Sequence, residues 1–239
     1  MEMDRKRIYC LANLLLLILL AGPFLPGCDN QEERGKRSSV SAAEPENGKT
    51  GKIVALGDSL TAGLGVDLQK SYPLQLQKKL QENGYDFRVV NAGVSGETSS
   101  GTLSRLDWIL GQNPEIIILE IGANDGLRGI DPALVKKNID EILTKLQGKD
   151  IVTILAGMQM VWNLGEQYTL KFNAIYPELA REHNVIFMPF FLEDVAAEAS
   201  LNREDGIHPN EEGYRHIVRN IYPYVVQAIE KLHSHRPSG

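Results

Sequence analysis

Residues 52–65 read KIVALGDSLTAGLG, and this stretch joins an apolar run to a polar, glycine-rich one. The run KIVAL predicts a short buried strand that stops at Gly57. Asp58 and Ser59 follow at once, and small residues then continue as far as Gly65. A plain strand-to-helix turn, a cradle for a phosphate and a loop that presents a nucleophile all have this pattern. The stretch alone leaves the three open.

The same junction recurs further along the chain. FRVV at 87–90 runs into NAGVSGETSSG, and EIIILEI at 115–121 runs into GANDGLRG. DIVTILA at 150–156 and VIFMP at 185–189 complete a set of five predicted strands. We expect the loops after the second and third strands to be irregular, because they are rich in Gly, Ser and Asn.

Helical patterns separate these strands. Apolar residues at helical spacing, often with proline or glycine at the ends, predict helices over 72–83, 103–110, 132–146, 168–183, 192–199 and 211–231. Strands that alternate with helices predict a parallel sheet with helices on both faces. The ligand site of such a sheet lies at the carboxyl ends of its strands, where the polar loops should meet.

The composition limits the classes of function. The 239 residues suit one sizeable α/β domain with an extension, and 43% hydrophobic residues are enough to form a core. The formal net charge is -6 and the main body has no basic run, which argues against a nucleic-acid partner. Both cysteines, Cys10 and Cys28, precede the domain, so it contains no cysteine for a disulfide, a zinc site or a nucleophile.

The amino terminus has the pattern of an export signal. Basic residues precede the apolar run IYCLANLLLLILLAGPF, which ends in Leu25-Pro26-Gly27-Cys28. This ending resembles a bacterial lipobox, although Pro26 is unusual there, and it predicts a lipid on Cys28. An uncleaved anchor helix and ordinary secretion are the alternatives. A multiply acylated Cys28 would hold the protein at a membrane surface.

The chain divides into four predicted parts: an export signal over 1–27, a polar tether over 28–50, the α/β domain over 51–233 and a polar tail over 234–239. The tether lacks apolar periodicity and is typical of a flexible linker. The expected location is the bacterial cell envelope, facing the periplasm or the exterior, with secretion as the alternative. A monomer is the default expectation.

Ser59 could act as a nucleophile if a base removes its proton, and histidine is the usual base. Of the five histidines, His208 is the one that Pro209 holds in a loop. Asp205 precedes it by three residues, and a carboxylate at this spacing can reach the imidazole within a tight turn. The alternative is that Asp205 caps a turn and His208 is simply exposed.

Acyl transfer also requires donors for the developing oxyanion. The backbone N–H of Gly93 could approach a substrate closely because glycine has no side chain, and the Asn124 amide could point to the same place. Each has a structural alternative: a left-handed turn at Gly93, or a cap of the Asn-Asp-Gly turn at Asn124. A nucleophile, a base, its partner and two donors on strand-end or neighbouring loops together favour a catalytic site.

Four ordered blocks resemble those of the SGNH, or GDSL-type, hydrolases. They are GDSL at 57–60, the glycine of NAGVSG at 93, GAND at 122–125 and DGIH at 205–208. The resemblance covers nearly the whole domain and is closest to a bacterial branch of arylesterases, thioesterases and lysophospholipases. It implies a three-layer α/β/α, flavodoxin-like fold with a five-stranded parallel sheet.

The resemblance also implies roles for individual residues. Ser59 would be the nucleophile, His208 the base and Asp205 its partner. The oxyanion hole would consist of the Ser59 and Gly93 backbone N–H groups and the Asn124 side chain. Neither a metal nor another cofactor is implied. The implied substrates are acyl esters, thioesters or lysophospholipids, with acetylated carbohydrates as an alternative.

The loop after the fourth strand departs from the family pattern. It reads GMQMVWNLG, where relatives often carry prolines and a tyrosine. Met158, Met160 and Trp162 make this loop more apolar. They predict either a packed loop or a rim that accepts an acyl chain.

Two other functions remain as alternatives. A phosphate- or nucleotide-binding module could use residues 57–65 at a helix amino terminus, although Asp58 would repel phosphate and the stretch has no Lys or Arg. A metal hydrolase could use Asp58, Asp125, Asp205 and His208, although the chain lacks a His-x-x-x-His pair.

Overall fold

A five-stranded parallel sheet forms the centre of the domain. The computed structural model describes residues 51–160 and 164–235. The strands are β1 Gly51–Gly57, β2 Phe87–Gly93, β3 Ile116–Glu120, β4 Val152–Ala156 and β5 Ile186–Met188. Their order across the sheet is β2-β1-β3-β4-β5, and all neighbouring pairs are parallel. This order is the flavodoxin-like one, so the predicted fold class is confirmed.

Helices connect the strands and form the two outer layers. Within the described residues they are α1 Ser59–Ala62, α2 Tyr72–Glu82, α3 Ser99–Ser104, α4 Leu106–Leu110, α5 Ala123–Leu127, α6 Pro132–Gln147, α7 Glu166–Glu182 and α8 Glu211–His235. A 3-10 turn, Leu68–Lys70, precedes α2. Helix α2 packs against α8, whereas α6 packs against α3 and α7.

The core lies on both faces of the central strands. Every residue of β3 and β4 is buried, and Ile53, Val54 and Leu56 of β1 have no exposed surface. A strand that is covered on both faces needs a continuous apolar run rather than an alternating one. The run IIIL in β3 meets this requirement, and VTIL in β4 departs from it only at the buried Thr153, so both strands can occupy the middle of the sheet.

The loop after β2 is shorter and more regular than predicted. β2 continues to Gly93 rather than ending at residue 90, and α3 begins at Ser99 inside the stretch expected to be irregular. The Thr98 hydroxyl accepts a hydrogen bond from the Gly101 N–H at 3.4 Å, and such a cap allows a serine-rich segment to begin a helix. Similarly, α5 replaces part of the predicted loop GANDGLRG.

The helix predicted over 192–199 is absent. Residues 191–197 form turns, in which Asp194 and Ala197 have φ angles of 59° and 62°. These left-handed conformations are incompatible with a continuous right-handed helix. The last helix, by contrast, extends beyond the predicted residue 231 to His235 and thus enters the predicted tail.

Some predictions concern residues outside the described ranges. They are the export signal over 1–27, the tether over 28–50 with Cys28, and Trp162. The division of the chain into these parts stays a prediction. In the part of the chain that the structure describes, no helix combines the length and the apolar character needed to cross a membrane.

Candidate active site

The carboxyl ends of three strands bring the predicted site residues to one edge of the sheet. Ser59 follows the end of β1, Gly93 ends β2, and Asn124 lies in α5 shortly after β3. Parallel strands that share a sheet end at the same edge, which is why these remote segments meet. Gly57 and Gly93 are paired directly across β1 and β2.

Ser59, His208 and Asp205 form a continuous hydrogen-bonded row. The Oγ atom of Ser59 lies 2.9 Å from Nε2 of His208, and Nδ1 of His208 lies 2.9 Å from Oδ2 of Asp205. A neutral imidazole protonated on Nδ1 donates to the carboxylate and leaves Nε2 as an acceptor for the serine hydroxyl. The row therefore has the atoms and the distances needed for removal of the serine proton.

Asp205 is held by the turn that it caps. Its Oδ1 atom accepts hydrogen bonds from the backbone N–H groups of Ile207 and His208, each at 2.9 Å. Gly206, which lies between Asp205 and Ile207, has a φ of 66°, which glycine adopts without strain. The backbone N–H of His208, then that of Ile207 and the His208 ring, hold the pKa of Asp205 well below its usual value. The two alternatives for Asp205, a turn cap and a histidine partner, thus apply together.

Ser59 stands at the first position of α1. Asp58 caps this helix, because its Oδ1 atom accepts a hydrogen bond from the Leu60 N–H at 2.9 Å. Gly63 ends the helix after one turn with a φ of 79°. Gly63 therefore limits α1 to a single turn. Only 8% of the surface of Ser59 is exposed.

Asp58 links the helix of Ser59 to Asn124. It is fully buried, and its Oδ2 atom accepts a hydrogen bond from Nδ2 of Asn124 at 3.1 Å. Burial raises the pKa of Asp58 to about 6, against the opposing effects of the Leu60 N–H and the Asn124 amide. The second hydrogen of that amide can serve another acceptor. Nothing in the local sequence indicated this contact, because 66 positions separate the two residues.

Gly93 has a packing role that the sequence did not reveal. A Cβ atom at this position would clash with the backbone of Thr61 and Ala62, so β2 and α1 approach closely because residue 93 is glycine. Its N–H donates to Oδ1 of Asn91 at 3.0 Å. Gly93 thus lies at the site edge with its N–H engaged, and an oxyanion there would have to share or replace the bond to Asn91.

Two more carboxyl groups are buried beside the site. Asp125 accepts hydrogen bonds from the N–H and the hydroxyl of Ser99 at 2.8 and 2.6 Å, which ties the start of α3 to α5. Glu120, at the end of β3, accepts a hydrogen bond from the Thr61 hydroxyl at 2.8 Å. Sequence reasoning missed Glu120, since a glutamate within an apolar run gives no signal of its contacts.

The alternatives to a hydroxyl nucleophile have little support in this geometry. The buried Asp58 occupies the Leu60 N–H at the start of α1, and its charge would repel a phosphate. Among the described residues, no three His, Cys, Asp or Glu side chains form a group that could hold a metal ion. Asp125, one of the candidate ligands, is held by Ser99 instead.

The two described methionines of the loop after β4 lie in different environments. Met158 is 2% exposed and packs in the core, which agrees with the packed-loop alternative and corrects the rim position for this residue. Met160 is only partly buried and packs over Gly126 of α5, where a Cβ atom would clash with its side chain. Oδ1 of Asn173 accepts a hydrogen bond from the Met160 N–H at 2.8 Å and holds the loop in this position. Met160 therefore lies beside the helix that carries Asn124.

Comparison with known proteins indicates the same family as the four sequence blocks do. Residues 55–216 match the model of the GDSL-like Lipase/Acylhydrolase family. Esterase TesA of Pseudomonas aeruginosa is 37% identical over 172 residues, which cover 72% of this chain and 86% of that protein. Thioesterase 1/protease 1/lysophospholipase L1 of Escherichia coli is 37% identical over 180 residues, or 75% of this chain and 81% of that protein.

A solved structure extends the similarity to the fold. The psychrotrophic esterase EstA from Pseudoalteromonas sp., crystallised with monoethylphosphonate as inhibitor, matches with a TM-score of 0.72 at 32% identity. The match covers 75% of this chain and 98% of that one. The chain therefore belongs to the GDSL-like lipase/acylhydrolase family, the SGNH hydrolases.

Proposed function

We propose that the protein is a serine esterase that hydrolyses acyl esters through an acyl-enzyme on Ser59. The observation that carries this proposal is the row from Ser59 through His208 to Asp205, with 2.9 Å at both contacts. The family match and the relatives named as an esterase and as a thioesterase and lysophospholipase support the same class of reaction.

The first half-reaction transfers the acyl group to Ser59. Oγ attacks the carbonyl carbon while Nε2 of His208 accepts the hydroxyl proton, and Asp205 stabilises the imidazolium that forms. The bond to the leaving alcohol or thiol then breaks, and His208 returns the proton to the leaving group. In the second half-reaction water gives a proton to His208 and attacks the acyl carbon, so the acid leaves and Ser59 regains its proton.

Asn124 and backbone N–H groups stabilise the oxyanion in this mechanism. Asp58 holds one hydrogen of the Asn124 amide, which directs the other hydrogen. The N–H groups of Ser59 and Gly93 are the other donors, and Gly93 exchanges its bond to Asn91 for one to the oxyanion. Preorganised donors accelerate the reaction because they meet a charge that develops only in the transition state.

The proposed substrates carry an acyl chain longer than acetyl. Four exposed apolar side chains lie on segments that carry or adjoin the site residues: Leu64, Val94 and Ile207 on loops, and Leu127 at the end of α5. Met160, which is partly buried, adds further apolar surface beside α5. Apolar surface gains most from burial against an alkyl chain, at about 0.8 kcal/mol per methylene. A lysophospholipid or a long-chain ester or thioester therefore fits this surface better than an acetylated carbohydrate.

The proposal includes export and lipid attachment at Cys28. Its support is the basic start, the apolar run and the sequence Leu25-Pro26-Gly27-Cys28. A tethered enzyme at a membrane surface would meet lysophospholipids directly. Mass spectrometry of the mature amino terminus from a bacterial host tests this point. A lipid-modified Cys28 is expected, and an intact terminus or cleavage at another residue would contradict it.

The Ser59→Ala variant tests the esterase itself. Hydrolysis would be measured on 4-nitrophenyl esters of graded chain length, an acyl thioester and a lysophospholipid, together with labelling by a fluorophosphonate. Ser104→Ala is the matched control, because Ser104 is an exposed serine on α3. We expect hydrolysis and labelling to disappear only in Ser59→Ala, with an unchanged circular dichroism spectrum. Native rates in that variant would refute the proposal.

A further inference from the structure

A pair of buried carboxyl groups lies next to Ser59. Glu120 ends β3, Asp58 precedes Ser59, and neither has any exposed surface. The two are close because Gly57, the residue before Asp58, pairs with Glu120 across β1 and β3. Among the described residues, no lysine or arginine forms an ion pair with either group. Burial and mutual repulsion therefore oppose the presence of two negative charges here.

The two carboxyl groups differ in the hydrogen bonds that they accept. Asp58 accepts one at each oxygen, from the Leu60 N–H and from the Asn124 amide. Glu120 accepts one at Oε2 from the Thr61 hydroxyl, whereas Oε1 has no hydrogen-bond partner within the described ranges. A buried charge needs donors, so Asp58 is the better place for the negative charge and Glu120 for the proton.

The electrostatic surroundings of Glu120 act in the same direction. Burial raises its pKa well above the usual value and the charge of Asp58 adds to this, while the hydrogen bond from the Thr61 hydroxyl and, more weakly, the nearby N–H groups of Asp58 and Thr61 oppose it. Other titratable side chains that interact with Glu120 from the surrounding helices are the phenols of Tyr72, Tyr176 and Tyr214. A phenol is neutral or negative, so none of them compensates a charge on Glu120.

We infer that Glu120 is a positioning residue whose neutral carboxyl group holds the helix of Ser59 against the end of β3, while Asp58 carries the single negative charge that orients Asn124. This inference rests on the proposed esterase function and gives Glu120 no contact with substrate. The connection runs through Thr61, which lies in α1 with Ser59. Gly57 leaves room for it, because a Cβ atom there would clash with both Thr61 and Glu120.

Neutrality of Glu120 matters for catalysis as well as for packing. A second negative charge beneath the site would repel the oxyanion that Asn124 is placed to receive, and a buried site screens that repulsion weakly. A neutral carboxyl group keeps its hydrogen bond to Thr61 without adding this repulsion. Glu120 thus affects the rate in two ways. It positions α1, and its neutral carboxyl group does not repel the oxyanion.

The Glu120→Gln variant tests the protonation state without relying on catalysis. Glutamine has the shape of the protonated acid and does not titrate. The unfolding equilibria of the native protein and the variant would be compared between pH 5 and pH 8. In the unfolded chain Glu120 ionises above about pH 4.3, so the folding constant of the native protein should fall with rising pH relative to the variant, by up to tenfold per pH unit as long as the folded protein keeps the proton. A ratio that stays constant over this range would overturn the inference.

Kinetics test the positioning role. We expect Glu120→Ala and Thr61→Val each to lower kcat on 4-nitrophenyl butyrate about tenfold with little change in KM, whereas Glu120→Gln stays within about threefold of native. The amide oxygen of glutamine restores an acceptor for the Thr61 hydroxyl. The double variant Glu120→Ala/Thr61→Val should be no slower than either single variant, because each substitution removes the same hydrogen bond between Thr61 and Glu120.

Control variants distinguish a failure of the positioning role from a failure of the esterase function. Glu115→Gln changes the same residue type just before the first residue of β3, at the edge of the sheet away from the site, and should leave kcat unchanged. Equal losses in Glu120→Gln and Glu120→Ala, or additive losses in the double variant, would overturn the positioning role. Thr61→Val keeps the test available if alanine at position 120 prevents folding. Hydrolysis that survives Ser59→Ala would refute the esterase function instead, and it would leave the pH comparison unaffected.

Discussion

Nε2 of His208 lies 2.9 Å from Oγ of Ser59, although 149 positions of the chain separate the two residues. Each is held by its own local structure: Ser59 by the first turn of α1, and His208 by the turn that Asp205 caps. The contact between them therefore depends on how these two rigid segments are placed by the sheet. The two atoms lie at hydrogen-bonding distance, so proton transfer between them requires no rearrangement of the pair.

Replacement of His208 by alanine should lower kcat/KM for 4-nitrophenyl esters by about 10³–10⁴-fold, because Ser59 loses its base. Asp205→Asn should lower it substantially as well. Its amide oxygen can keep the turn but cannot stabilise the imidazolium. Glu204→Gln, at the neighbouring exposed position, is the control and should retain native activity. A loss smaller than about tenfold in His208→Ala would contradict the role of His208 as base.

Removal of the Asn124 amide should lower kcat by about 10²–10³-fold and leave KM nearly unchanged. The reason is that the oxyanion exists only in the transition state and the intermediate. Asn83→Ala, at the exposed end of α2, is the matched control. Steady-state kinetics on a short-chain ester would measure both variants. An unchanged kcat in Asn124→Ala would exclude the amide from the oxyanion hole.

Gly93→Ala should destabilise the protein by about 1–3 kcal/mol, because the added Cβ meets the backbone of α1. Gly148→Ala is the control. Gly148 has a helical φ of -62°, and a Cβ there makes ordinary contacts at 3.6 Å. Urea unfolding would give both free energies, and kcat would report any displacement of Ser59. Equal stability of the two variants would contradict the close approach of β2 and α1.

Asp58 should make stability depend on pH below neutrality. Burial raises its pKa to about 6 in the folded protein, whereas the unfolded chain loses this proton near pH 4. The raised pKa means that stability falls as pH rises from about 4 to about 6, by a total of about 3 kcal/mol relative to Asp58→Asn. Above pH 6 the difference should be constant.

Urea unfolding between pH 4 and pH 8 would measure this difference. Both proteins would carry Glu120→Gln, so that Asp58 is the member of the pair that titrates. A difference that does not change between pH 4 and pH 6 would mean that Asp58 ionises in the folded protein as it does in the unfolded chain.

Most elements of the fold could be predicted because their signals are local. The run IIIL in β3 and the aliphatic face of α6 specify a strand and a helix within a few residues of the observed limits. The failures have tertiary or conformational causes. α3 begins at Ser99 where the side chain of Thr98 caps it and Asp125 binds the Ser99 N–H. Residues 192–199 have a helical composition, but positive φ angles interrupt them.

The sequence by itself determined the family, the order of strands and helices, and the residue types that reach the carboxyl edge, because these depend on local patterns and on short motifs. Only the tertiary structure decided which of those residues meet: Asn124 with Asp58, Thr61 with Glu120, and Gly93 with α1. Such contacts join distant positions and depend on separations of about 3 Å, which no local pattern encodes. The protonation of the buried pair follows from the same fold, because burial and neighbouring charge, rather than residue type, set the pKa of a carboxyl group.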